Sequence, residues 1–126
     1  MGHGHRKMVV WQNIDRLAPM VNELANKIPG SDYKLIRQIH SAMDSVGANF
    51  VEGYYSGSIP EYLRFIRYGK RSLGEVQERI RRCYQRGYFD RGKYLDFDDL
   101  SIKTMYLFDR LIFSLEKKGA EGRRGQ

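Results

Sequence analysis

Cysteine is almost absent: Cys83 stands alone among 126 residues, which excludes an internal disulfide and fits a reducing compartment. Proline is scarce, with three residues, so little in the chain interrupts long helices. No apolar run approaches the ~20 residues that a membrane-spanning helix needs. The opening MGHGHRKMVVWQ has no segment long enough for a signal peptide, and Arg6 breaks the myristoylation pattern. These absences predict a cytoplasmic protein without a membrane partner. No segment reads as a strand, which leaves an all-α fold.

Patterns that carry chemistry are missing as well. Helical bundles hold paired metals through Glu-x-x-His motifs, and the chain contains none. Of its three histidines, His3 and His5 lie in the leader, and His40 reads as a packed or surface residue. Gly57-Ser58 lacks the strand-turn-helix context of a nucleophile elbow. Cys83 falls on an apolar seam and reads as a small buried hydrophobe. No nucleophile has an identifiable base, so the expectation is no enzyme, no cofactor and no metal.

What the chain does have is charge, unevenly placed. Residues 1–63 carry six basic and six acidic side chains, and residues 94–126 again carry six of each. Residues 64–93 hold ten basic against three acidic, and so supply the whole net charge of +7. So local an excess attracts polyanions, and nucleic acids are the commonest in a cytoplasm. The alternative is a solvated helix face with surplus arginine.

Apolar spacing draws four helices. Val10, Ile14, Leu17, Val21, Leu24 and Ile28 make one stripe, with Pro19 expected to kink the first helix or delay its start to about Ala18. The second helix is predicted over about Tyr33–Tyr54, with Ile36, Ile39, Met43, Val46 and Phe50 inward. Ser58-Ile59-Pro60-Glu61 opens the third with capping-box spacing. Its seam runs Tyr62, Ile66, Gly69, Leu73, Val76, Ile80, Cys83, Gly87, where the glycines mark close backbone approach or mere tolerance. Acids in DFDD, 96–99, are expected to start the fourth helix, which should run to about Lys117. That helix shows two stripes: Phe97, Leu100, Thr104, Leu107, Leu111, Leu115, and beside them Met105, Phe108, Ile112. Two stripes point to cover on both sides, hence an oligomer or a partner protein. The organisation expected is a flexible leader (1–8), an antiparallel up-down-up-down four-helix bundle (9–117) and a disordered basic tail (118–126).

Two surfaces remain. On the second helix Gln38, Ala42, Ser45, Asn49 and Glu52 recur at four-three spacing, small or hydrogen-bonding throughout. Such side chains let helices approach and fix register, whereas catalysis by Glu52 would need a partner the sequence does not show. On the third, Arg64, Arg67, Arg71, Arg79, Arg82 and Arg86 fall within an arc of about 120° facing away from the seam. Glu75 and Glu78 stand four residues from Arg71, Arg79 and Arg82, but two acids cannot neutralise six arginines. Tyr84, Tyr88, Phe89 and Tyr94 either stack on bases or pack the turn, and packing is the preferred reading.

The block Gln38 to Gly53, QIHSAMDSVGANFVEG, resembles the signature of the "four helix bundle protein" family. That family is encoded in intervening sequences of bacterial 23S rRNA genes and is related to the accessory variability determinant of diversity-generating retroelements. A second block is similar too: Glu61-Tyr62-Leu63-Arg64-Phe65, then Gly69, Ser72 and Glu75, with Trp11 near the start. The resemblance covers residues 9–117, and its matching positions Gln38, Ser45, Asn49, Glu52, Gly53 and Gly69 include those that the stripe of the second helix and the seam of the third give to helix packing. It implies a ring-like homopentamer with a basic surface, no enzymatic activity, and in the retroelement branch a reverse transcriptase and nucleic acid as partners. His40-Ser41 replaces a frequent arginine pair, shifting the basic contacts to the third helix, and Gly47 replaces a frequent proline.

The function expected is therefore a non-catalytic, oligomeric binder of RNA or DNA with little sequence preference, acting through Arg64, Arg67, Arg71, Arg79, Arg82 and Arg86 and serving a reverse transcriptase as accessory. The alternative is a scaffold that binds only protein.

Overall fold

The computed structural model describes residues 2–124. Among them lie four α-helices and two short 3-10 turns, and no strand. The helices are α1 (Val9–Ala25), α2 (Tyr33–Tyr54), α3 (Ile59–Gln85) and α4 (Arg91–Arg124).

Helix α1 starts at Val9, not near Ala18, and continues through Pro19. The bounds of α2 are those its periodicity predicts. Ser58 caps α3 by accepting the Glu61 amide on Oγ at 3.3 Å, with Pro60 in the first turn. At the other end the seam reading fails at Gly87. This residue has φ +81 and lies beyond the helix. Its amide reaches the Tyr84 carbonyl (2.9 Å) and the Tyr88 amide reaches the Cys83 carbonyl (3.2 Å), so two orphan acceptors are satisfied by a left-handed turn. Helix α4 begins five residues before the DFDD acids, because Asp90 Oδ1 accepts the Lys93 amide at 2.9 Å.

Contacts pair Gln38 with Arg79, Ser45 with Ser72 and Gly53 with Phe65, so α2 and α3 pack in opposite senses. Gln77 with Ser101 and Arg67 with Glu116 do the same for α3 and α4. Helix α1 closes the core against α2 and α4. Leu17, Phe50, Ile66, Leu73, Phe97 and Phe108 are fully buried, and each such side chain stabilises by about 1.5–3 kcal/mol. Phe50 and Phe108 meet edge to face at 6.5 Å, joining α2 to α4 across the centre. On α4 Phe108, from the expected second stripe, joins Phe97, Leu100, Thr104 and Leu115 of the first in the core, while Leu107 and Leu111 are half-buried.

Both ends differ from the sequence expectation. Gly4–Lys7 form a 3-10 turn, and buried His5 sits edge-on to Trp11 (4.8 Å) and Tyr55 (5.6 Å). The Tyr55 hydroxyl donates its one proton to the Gly2 carbonyl (2.7 Å), so His5 Nδ1 donates to Tyr55 (3.0 Å). This part of the expected leader is held by aromatic packing that has no periodic signal. Helix α4 continues through most of the expected tail because it lies along the start of α3: a Cβ on Gly119 would stand 3.4 Å from Ile59 Cγ2. Residues 125 and 126 of that tail are outside the described residues.

Candidate nucleic-acid interface

Helix α3 carries the charge excess because one face of it is fully committed to the core. Ile66, Leu73, Val76, Ile80 and Cys83 are completely buried, which turns the arginines outward. Arg64, Arg67, Arg71, Arg82 and Arg86 are exposed, and Arg79 is half-buried. At 1.5 Å per residue they line an edge of about 33 Å.

The six are not equivalent. Arg64 and Arg71 form no ion pair with any described residue; each lies over an aromatic ring of α3, Phe65 at 5.0 Å and Tyr68 at 5.4 Å. Arg67 reaches Glu116 only at 3.7 Å, and Arg86 reaches Asp32 only at 3.8 Å. Arg79 is held: Nη1 donates to Gln38 Oε1 (2.8 Å), Nη2 to Glu75 Oε1 (3.3 Å), and its Nε is enclosed without a partner. Arg82 Nε donates to Glu78 at 3.1 Å.

Sequence reasoning passed over Arg81, which grips Glu78 through Nε (3.0 Å) and Nη2 (2.7 Å). Its signal was the three-residue spacing from Glu78. Hydrogen bonds from Arg81 and then Arg82 hold the Glu78 carboxyl down to about 2, so it stays ionised. Tyr68 was also missed, although it is an exposed aromatic beside Arg71. The aromatics at the end of the arginine edge pack the turn. Tyr84 and Tyr94 stack at 4.3 Å, Phe89 is buried, and the Tyr88 hydroxyl donates to Asp32 at 2.6 Å. Bonding to Asp32 raises the Tyr88 hydroxyl above its ordinary range.

The polar stripe of α2 divides. Asn49 Nδ2 donates to the Ser45 carbonyl (2.8 Å) and to Ser45 Oγ (2.9 Å), and Ser45 meets Ser72 of α3 at 2.9 Å. Gly53 is buried against α3, where a Cβ would stand 3.1 Å from Phe65 Cβ. Gly69 is likewise buried, against Phe108. Gln38 is exposed and acts through Arg79. Glu52 departs from the expectation. It is exposed and bonded to no described residue, because a four-three repeat drifts about 20° per heptad and turns it towards α1.

Among the described residues no group of three or more His, Cys, Asp or Glu is placed to hold a metal. No helix among them is long and apolar enough to cross a membrane. The arrangement can attract and grip phosphates along one helix edge, with Arg64, Arg71 and Tyr68 as its least committed part.

The family model described as 23S rRNA-intervening sequence protein matches residues 6–108, well over half of the chain and all of α1 to α3. No curated protein matches the sequence.

Proposed function

The chain belongs to the 23S rRNA-intervening sequence protein family, and on that footing we propose a non-catalytic protein that binds RNA or DNA along α3 and works as a homo-oligomer. The supporting observation is the pair Arg64 and Arg71, two turns apart, exposed, without an ion-pair partner among the described residues and flanking the loosely held Arg67. Guanidinium groups so placed bind phosphates bidentately, and Tyr68 adds a face on which a base can stack. Neighbouring ion pairs do not cancel this field. Except at half-buried Arg79 they are solvent-exposed and screened by water, so they hold their arginines only weakly.

The assembly we propose is a ring-like homopentamer of up-down-up-down bundles in the cytoplasm. Five copies of a +7 chain would carry +35. In a retroelement setting the protein that uses such a surface is a reverse transcriptase. A protein-only scaffold is the second reading, favoured by the hold of Gln38 and Glu75 on Arg79.

Fluorescence anisotropy with a labelled single-stranded RNA and a duplex DNA, from 50 to 200 mM salt, separates the two. Binding that weakens by a factor of about ten or more over that range supports the nucleic-acid reading. No binding to either probe at 50 mM leaves the scaffold.

A further inference from the structure

We propose that the acid-rimmed groove between α1 and α2 receives the outward face of α4 from a second copy, joining copies head to tail. The inference rests on the homo-oligomer part of the reading above and not on nucleic-acid binding.

The groove has an apolar, small-residue floor that includes Ala18 of α1 and Gly47 and Ala48 of α2. Three carboxylates rim it: Asp15, Asp44 and Glu52. All three are exposed, and none forms an ion pair with a described residue. Unpaired acids beside an uncovered apolar floor match a partner that is both greasy and cationic.

Helix α4 presents such a surface. Ile102 (57% exposed), Tyr106 (60%) and Phe113 (69%) stand at spacings of four and seven, on the side of α4 opposite its core contacts Thr104 and Phe108. Arg110 and Lys117 border this stripe on one side, exposed and without an ion-pair partner among the described residues. Asp109 and Glu116 on its other side are taken up by Lys70 and Arg67. The dimensions agree. From Ile102 to Phe113 is about 16 Å of helix, and the groove along α2 from Met43 to Glu52 is about 14 Å.

The two surfaces are different patches of one protomer, so the contact is heterologous. Each copy offers its groove to one neighbour and its α4 face to the next, the arrangement that gives a ring where the rotation between copies closes and a filament where it does not. The α1–α2 groove lies away from the α3 edge, whereas Phe113 shares a groove with Arg67 and Arg71, so the α4 contact borders that edge at one end.

Charge reversal tests this through mass in solution, measured by size exclusion with light scattering. The variants are Asp44→Lys with Glu52→Lys, Arg110→Glu with Lys117→Glu, and the fourfold combination. Every substituted side chain is exposed, and circular dichroism checks that each variant keeps its helix content. Wild-type protein should run as an oligomer, each double variant should fall to the 14.8 kDa monomer, and the fourfold variant should reassemble. A monomeric wild type overturns the homo-oligomer reading together with this interface. An oligomeric wild type whose double variants stay assembled, or a fourfold variant that stays monomeric, overturns this interface alone.

Discussion

Gly69 of α3 faces the ring of Phe108 on α4 so closely that a Cβ would stand 3.1 Å from Cε1 and 3.4 Å from Cζ. Phe108 is fully buried and also meets Phe50 edge to face, so the ring has little freedom to yield. The absent side chain at position 69 sets how near α3 and α4 come.

Gly69→Ala should therefore destabilise the fold by about 1–3 kcal/mol despite the better helix propensity of alanine. Gly74→Ala on the same helix is the control, since its Cβ would meet only Met105 Cε at 3.9 Å. That change should be neutral or stabilise by up to about 1 kcal/mol. Urea denaturation of both variants gives the two signs.

The Gly87 turn predicts a second backbone effect. With φ at +81 and open space around the absent Cβ, Gly87→Ala suffers from conformation and not from crowding. A loss of about 1–2 kcal/mol is expected in the same measurement.

Glu78 should titrate near 2 rather than at its ordinary 4.5. Because the folded value is depressed, the stabilisation is complete above about 4.5 and is lost as pH falls towards 2. The Arg81–Glu78–Arg82 cluster thus keeps its charges across neutral pH. Carboxyl NMR should find the Glu78 midpoint near 2 and see it rise in an Arg81→Gln, Arg82→Gln variant.

Cys83 is fully buried, and burial raises its thiol above the ordinary value. Iodoacetamide at pH 8 should leave it unmodified in the native protein and label it rapidly in urea. Native labelling at the rate of free cysteine would place the end of α3 in exchange with an open form.

Much of this architecture can be read from spacing, because spacing is what burial selects. Apolar residues alternating at three and four located α2 to its ends, and Ser58 with Glu61 announced the start of α3. Signals that depend on dihedral angle or register were silent. Gly87 stands four residues after Cys83, in step with the seam, and only its positive φ removes it from the helix. Asp90 and the DFDD acids look alike as starts for α4 until the Lys93 amide shows which one caps.

The candidate site divides the same way. The outward arc of α3 follows from periodicity alone, as does the three-residue step from Glu78 to Arg81. Which arginines stay free depends on α2 and α4 lying alongside, since Gln38 takes Arg79 and Glu116 approaches Arg67. No local pattern encodes that juxtaposition, so six arginines looked alike in the sequence and differ in the fold.

The most direct test of polyanion binding is the salt dependence of single-stranded RNA affinity for Arg64→Gln, Arg71→Gln protein, measured beside the wild type. Each phosphate contact contributes about 0.7 to the slope of log affinity against log salt. If the α3 edge binds the backbone, the double variant should bind more weakly, with a slope shallower by about 1.4 per bound protomer. An unchanged affinity and slope would contradict the account.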